Sequence, residues 1–154
     1  MNTSCFFCKL FKDPNYVKWE NKYFYSILDD CPVTPGHSLI IPKRHIDGFM
    51  NLQDEEWKTL KDGLREVIEM IEMTGLHEHY KSHFKDWPNR FIKQAIKSTT
   101  NNPKPTAYNH GVNDGKAAGR TVGHIIPRYE GDMKDPTGGV RHVIPGNGNY
   151  RTST

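Results

Sequence analysis

The chain lacks a long apolar run. None of its stretches approaches the roughly 20 consecutive apolar residues of a membrane-spanning helix. Mean hydropathy is −0.76 with 35% hydrophobic residues, so a modest core and polar loops are expected. The opening residues, Met1 to Cys8, have neither the basic start nor the apolar stretch of a secretory leader, and the expected compartment is the cytoplasm. Cysteine is scarce, and its count of three is odd, which argues against a disulfide framework. Charge is nearly balanced, with 21 Lys and Arg against 18 Asp and Glu and a net charge of +3. That suits an anionic small ligand but lacks the dense basic face that duplex nucleic acid requires. There is no internal repeat and no low-complexity tract. At 154 residues, one domain with a real core is expected.

The patterning that is present marks out the elements. Residues 16–28 are rich in aromatic and β-branched side chains, and Glu20-Asn21-Lys22 supplies the turn of a hairpin. His37-Ser38-Leu39-Ile40-Ile41-Pro42 reads as a strand. A long helix begins near Asn51 or Gln53, with Asp54, Glu55 and Glu56 in its first turn, and Gly75 stops it. Trp57, Leu60, Leu64, Val67, Ile68 and Ile71 recur at helical steps as one core-facing stripe. Residues 76–105 carry His77, His79 and His83 among aromatics, with a second short helix over 89–97. Residues 106–113 and 122–126 read as central strands, the second stopped by Pro127. Residues 129–154 are irregular and glycine-rich. A tail of that composition must lie on another surface, and a neighbouring subunit is expected.

Three motifs carry chemistry. Cys5-Phe6-Phe7-Cys8 is a C-x-x-C, a spacing that favours metal over a bridge in a reducing compartment. Pro35-Gly36-His37-Ser38-Leu39-Ile40-Ile41-Pro42-Lys43-Arg44-His45 joins a glycine turn, a strand and a basic stop. Gly111-Val112-Asn113-Asp114-Gly115 leads through Ala118-Gly119-Arg120-Thr121-Val122 into Gly123-His124-Ile125-Ile126-Pro127-Arg128. Taken in order, these resemble the histidine triad (HIT) superfamily of nucleotide hydrolases and transferases, over roughly residues 5–74 and 106–150.

The resemblance implies an α+β homodimer with an antiparallel sheet of about five strands, one long helix and, here, a helical insertion at 76–105. It also exposes a gap. The family strand reads His-x-His-x-His, and its middle histidine attacks an α-phosphate to form a nucleotidyl-histidine. This chain has only His124 in a strand four residues short, a loss of about 13 Å at roughly 3.3 Å per residue. Aligned from the left, His124 is the first triad histidine and Ile126 takes the nucleophile's place. Aligned from the right, His124 is the third. The middle histidine is missing either way. A four-residue deletion preserves strand alternation, so the flanking side chains keep their facing.

For ligands, the resemblance implies Asp29 on ribose hydroxyls, Phe7 and Ile27 beside the base, and Asn113 and Thr121 at the α-phosphate. Backbone amides of the 115–119 turn lie nearby. Arg120 stands where the family often has glutamine and would pair with phosphate. For Asn113 the plainer alternative is a hairpin turn; for Arg120 it is a solvated loop charge. Aligned from the left, the resemblance also implies a structural Zn2+ held by Cys5, Cys8, His45 and His124, a closed Cys2His2 set. The expected function is binding or sequestering a nucleotide or nucleotide-derived signal without the covalent step. The alternative is an active phosphohydrolase or nucleotidyl transferase that uses a substitute histidine, His110, His37, His142 or His124, with His110 favoured by position.

Overall fold

The computed structural model describes residues 5–86, 88–114, 119–137 and 139–140. Residues 115–118, part of the turn expected near the phosphate, and the tail from Arg141 onward lie outside the described residues. The architecture is α+β. Strands β1 (Val17–Glu20), β2 (Phe24–Leu28), β3 (Ser38–Pro42), β4 (Ala107–Asn113) and β5 (Val122–Arg128) form one antiparallel sheet in the order β1-β2-β3-β5-β4.

The β1–β2 hairpin turns where Asn21 stands. Its side-chain oxygen accepts the Tyr23 and Phe24 amides at 2.9 and 2.8 Å, the short-range bonding that suits asparagine to turns. Strands β2 and β3 are buried on both faces, so they read as continuous apolar runs rather than alternating ones.

Alternation decides what each face packs against. Phe24, Ile40 and Ile125 meet Leu60, Val67 and Ile71 of helix α2 (Asp54–Met73). Tyr25, Ile27, Leu39, Ile41 and Val122 point the other way, toward Phe7, Leu10 and Phe11 in and beside the short helix α1 (Phe6–Leu10). Each fully buried Leu, Ile, Val or Phe contributes roughly 1.5–3 kcal/mol. The α2 stripe therefore suffices to hold that helix on the sheet. At its start, buried Glu56 accepts from Arg44 at 2.7 Å and from the Gln53 amide at 2.7 Å. Trp57, at the rim of the stripe, packs edge-on against Phe49 with centroids 4.8 Å apart.

The insertion contains two helices where one was expected, α3 (Leu76–His83) and α4 (Arg90–Ser98). Asn89 caps α4 by accepting the Phe91 and Ile92 amides at 2.9 and 3.0 Å. Leu76, Tyr80, Ile92 and Ala95 gather around Leu28 in a third buried cluster. The Tyr80 hydroxyl accepts the Gly36 amide at 2.8 Å. Gly36 itself has φ +81°, and a Cβ there would lie 2.8 Å from Ile71 Cγ2, so conformation and space both require glycine.

Strand β5 runs past Pro127 to Arg128, two residues beyond its expected end. It pairs with β3 only as far as Ile125, while its other edge pairs with β4 through Arg128. At Pro127 the β3 side is already open, so the missing amide hydrogen leaves no carbonyl unserved there.

Candidate functional site

A cleft of about 730 Å³ opens on the α1 face of the sheet. Phe6, Phe7, Leu10, Ile27, Leu39 and Val122 form an apolar slot; Asp29, Asp30 and Cys31 form one rim, and Val112, Asn113, Asp114 and His124 the other. The expected base-flanking pair, Phe7 and Ile27, and the expected polar residues Asp29, Asn113 and His124 are thus brought together. Flat walls and a few convergent polar groups are what a nucleoside-sized ligand needs.

The polar side is a chain of side chains. His37 is buried, and its Nε2 lies 3.0 Å from His124 Nδ1. The other nitrogen of His37 receives the Val33 amide at 3.3 Å and lies 3.6 Å from Asp29 Oδ2. Asp29 is fixed by the Cys31 amide, which donates to its Oδ1 at 2.7 Å. His124 Nε2 meets the Asn113 amide at 2.9 Å. Burial pushes the His37 pKa down to about 4, and burial also lowers that of His124. Both imidazoles are therefore neutral near pH 7.

Alternation along β5 places Val122 and Ile126 on the same face as His124. Of the described residues lining the cleft, His124 is the one imidazole. His110 lies on the opposite face. It pairs in register with Ile125 and stacks on Tyr108, whose hydroxyl donates to Glu72 of α2. It stands behind the sheet, where it cannot replace a nucleophile in the cleft.

Two expected phosphate contacts are elsewhere. Arg120 is wholly buried. Its Nη1 donates to Cys8 Sγ at 3.2 Å, and its Nη2 donates to the carbonyls of Pro42 and Arg44. Thr121 is also buried, with its amide on Ile46 O at 2.8 Å and its hydroxyl on Asp114. Thr121 thus shapes the rim through Asp114, which also accepts the Phe49 amide at 2.9 Å. Strand alternation assigns a facing within β5, but it does not reach the two residues before it, which is why sequence reasoning missed this.

A second constellation lies under the N-terminus. Donor atoms of Cys5, Cys8 and His45 come within 4.8 Å of one another, and Cys8 Sγ is 3.4 Å from His45 Nδ1. Two thiols and an imidazole are a donor set of zinc type. The fourth expected ligand, His124, does not join them; it stands with His37 and Asp29. The cation of Arg120 lies against Cys8 instead.

Comparison with known proteins accords with this geometry. The HIT domain signature matches residues 12–131, and the chain belongs to that family. An uncharacterized HIT-like protein of Methanocaldococcus jannaschii is 28% identical over 83% of this chain and 81% of its own. A HIT family structure from Bacillus subtilis superposes with a TM-score of 0.56 at 25% identity, covering 84% of this chain and 76% of that one. A zinc-bound histidine triad family protein from Mycobacterium smegmatis gives a TM-score of 0.50 at 25% identity, covering 86% and 80%. Among the described residues, no helix is long and apolar enough to cross a membrane.

Proposed function

We propose that this HIT protein binds a nucleotide or nucleotide-derived signal in the 730 Å³ cleft and does not carry out the family's covalent step. One observation carries the reading: on the face of β5 that bears His124, strand alternation puts the apolar side chains Val122 and Ile126 on either side of it. Ground-state contacts and covalent chemistry are separate free energies, so the grip survives loss of the nucleophile. The apolar slot takes the base, Asp29 accepts from ribose hydroxyls, and Asn113 and His124 meet the phosphate. A zinc ion would be held by Cys5, Cys8 and His45, tying the N-terminal segment to the sheet. It would supply stability rather than catalysis. The exposed strand β4 at the edge of the sheet is consistent with a homodimer that continues the sheet.

A second reading is favoured by the 3.0 Å contact of His37 with His124 beside Asp29, a grouping from which an imidazole general base or nucleophile can be drawn. In that reading His124 is the substitute histidine. Incubating the purified protein with adenosine phosphoramidate, dinucleoside polyphosphates and ADP-ribose-type nucleotides, followed by chromatography, separates the two. Tight binding with unchanged ligand supports the first. Turnover abolished by His124→Ala supports the second. No shift in melting temperature with any nucleotide removes both.

A further inference from the structure

Two imidazoles that share a hydrogen bond must agree on who donates, and here a third group decides. The Val33 amide is a fixed donor, aimed at His37 Nδ1 from 3.3 Å. A nitrogen that accepts that hydrogen carries none of its own, so the proton of neutral His37 sits on Nε2. His37 Nε2 therefore donates across the 3.0 Å contact to His124 Nδ1. With Nδ1 occupied as acceptor, the proton of neutral His124 sits on Nε2, the nitrogen beside Asn113 at the cleft. The structure places Asn113 Nδ2 at that nitrogen; in this register the amide turns to present Oδ1, and an anionic oxygen of the ligand takes the place of that acceptor. The opposite register would point His37 Nδ1–H at Asp29 Oδ2. That atom is 3.6 Å away, beyond hydrogen-bond range, and the Val33 amide would lose its acceptor.

We propose that the Val33 backbone amide sets the proton register of the His37–His124 pair, so that His124 presents Nε2–H to the cleft and recognises an anionic oxygen as a donor. Val33 and His37 are positioning residues; His124 touches the ligand. This rests on the nucleotide-binding reading above and deepens it by naming the proton register behind the contact of His124 with the phosphate. The bound oxygen is that of a phosphate monoester or of free phosphate. A histidine in this register has no lone pair facing the ligand with which to attack phosphorus.

The test is long-range 1H–15N correlation spectroscopy on 15N-histidine-labelled protein near pH 7, with His124 assigned by its loss in His124→Gln. Both His37 and His124 are expected as Nε2–H tautomers. A His124 with its proton on Nδ1 overturns the proposal whatever the binding data show. Val33→Pro removes the amide hydrogen without altering either imidazole, and it should convert the pair to mixed or reversed tautomers. An unchanged pattern in a folded Val33→Pro variant also overturns it.

Calorimetric titration with AMP, adenosine and inorganic phosphate reads the recognition separately. Glutamine offers an N–H near the place of Nε2. His124→Gln is therefore expected to keep AMP affinity within about threefold, while His124→Ala loses about tenfold, the weight of one hydrogen bond to a charged group. Adenosine affinity should be insensitive to both. Weaker binding of inorganic phosphate than of AMP assigns the site to an ester. Inorganic phosphate binding as tightly as AMP assigns the site to the free ion. Loss of AMP affinity in His124→Gln equal to that in His124→Ala overturns the donor role. If AMP does not bind at all, the nucleotide reading fails, while the tautomers of the free protein still report whether Val33 sets the register.

Discussion

Arg120 Nη1 lies 3.2 Å from Cys8 Sγ, and the arginine is wholly buried. The residue that sequence alone assigns to a phosphate instead tethers three segments. It reaches the C-x-x-C and the carbonyls of Pro42 and Arg44, fixing the N-terminal segment against the end of β3. His124 and Asn113 remain as polar groups on the cleft rim.

Metal content follows from this arrangement. Purified protein should carry about one zinc per chain, lost in Cys5→Ser or Cys8→Ser, and chelation should lower the melting temperature. His124→Ala should retain the metal, because His124 stands with Asp29 and His37 rather than with the thiols. Elemental analysis of the three variants checks this, and zinc lost in His124→Ala would contradict the geometry.

Truncating Arg120 should damage the fold rather than the ligand contact. Arg120→Ala removes the donors on the buried carbonyl of Pro42 and the half-buried carbonyl of Arg44 and leaves a cavity, for a loss of about 3–5 kcal/mol in urea unfolding. Nucleotide affinity of the folded fraction should change less than threefold, about the scale of a few tenths of a kcal/mol expected for a remote site.

The two faces of the sheet predict opposite outcomes for two neighbouring β4 residues. Asn113→Ala should weaken nucleotide binding about tenfold, since its amide meets His124 at the cleft rim. His110→Ala should leave both affinity and any turnover unchanged, because that side chain stacks on Tyr108 behind the sheet. Calorimetry and product chromatography on the pair decide it.

Acid should destabilise the protein in a defined window. Burial holds His37 and His79 down to about 4, from an ordinary value of 6.5. As pH falls through 6.5, the unfolded chain takes up protons that the folded chain refuses. The stability contribution is thus fully present above about 6.5 and lost as pH falls through about 4. Unfolding free energies measured from pH 7 to 4 should fall with pH, and His79→Phe should flatten the slope.

Gly36→Ala should be costly despite adding one methyl group. The left-handed backbone and the 2.8 Å approach of Ile71 Cγ2 act together, for about 2–4 kcal/mol. Denaturant midpoints at constant slope measure this.

The long helix was legible because Leu60, Val67 and Ile71 recur at helical spacing, and the hairpin because Asn21 sits between two β-rich runs. Helix α3 was not, because its apolar positions, Leu76 and Tyr80, are separated by polar residues and histidines. The cleft residues Phe7, Ile27, Asp29, Asn113 and His124 could be read from motif order. The burial of Arg120 could not, since a guanidinium fits a loop, a phosphate or a pair of carbonyls equally well until the backbone is in place. Val33 gave no signal at all, because it acts through its amide and any residue except proline supplies one.

Tyr80 belongs to the segment between the long helix and β4, yet its hydroxyl accepts the amide of Gly36, two residues before β3. That segment is therefore structural masonry rather than ornament. Splicing it out to shorten the protein would uncover Leu28 and strand the Gly36 amide at the same time. A shortened descendant would have to acquire a new stopper for that corner before it could dispense with the old one.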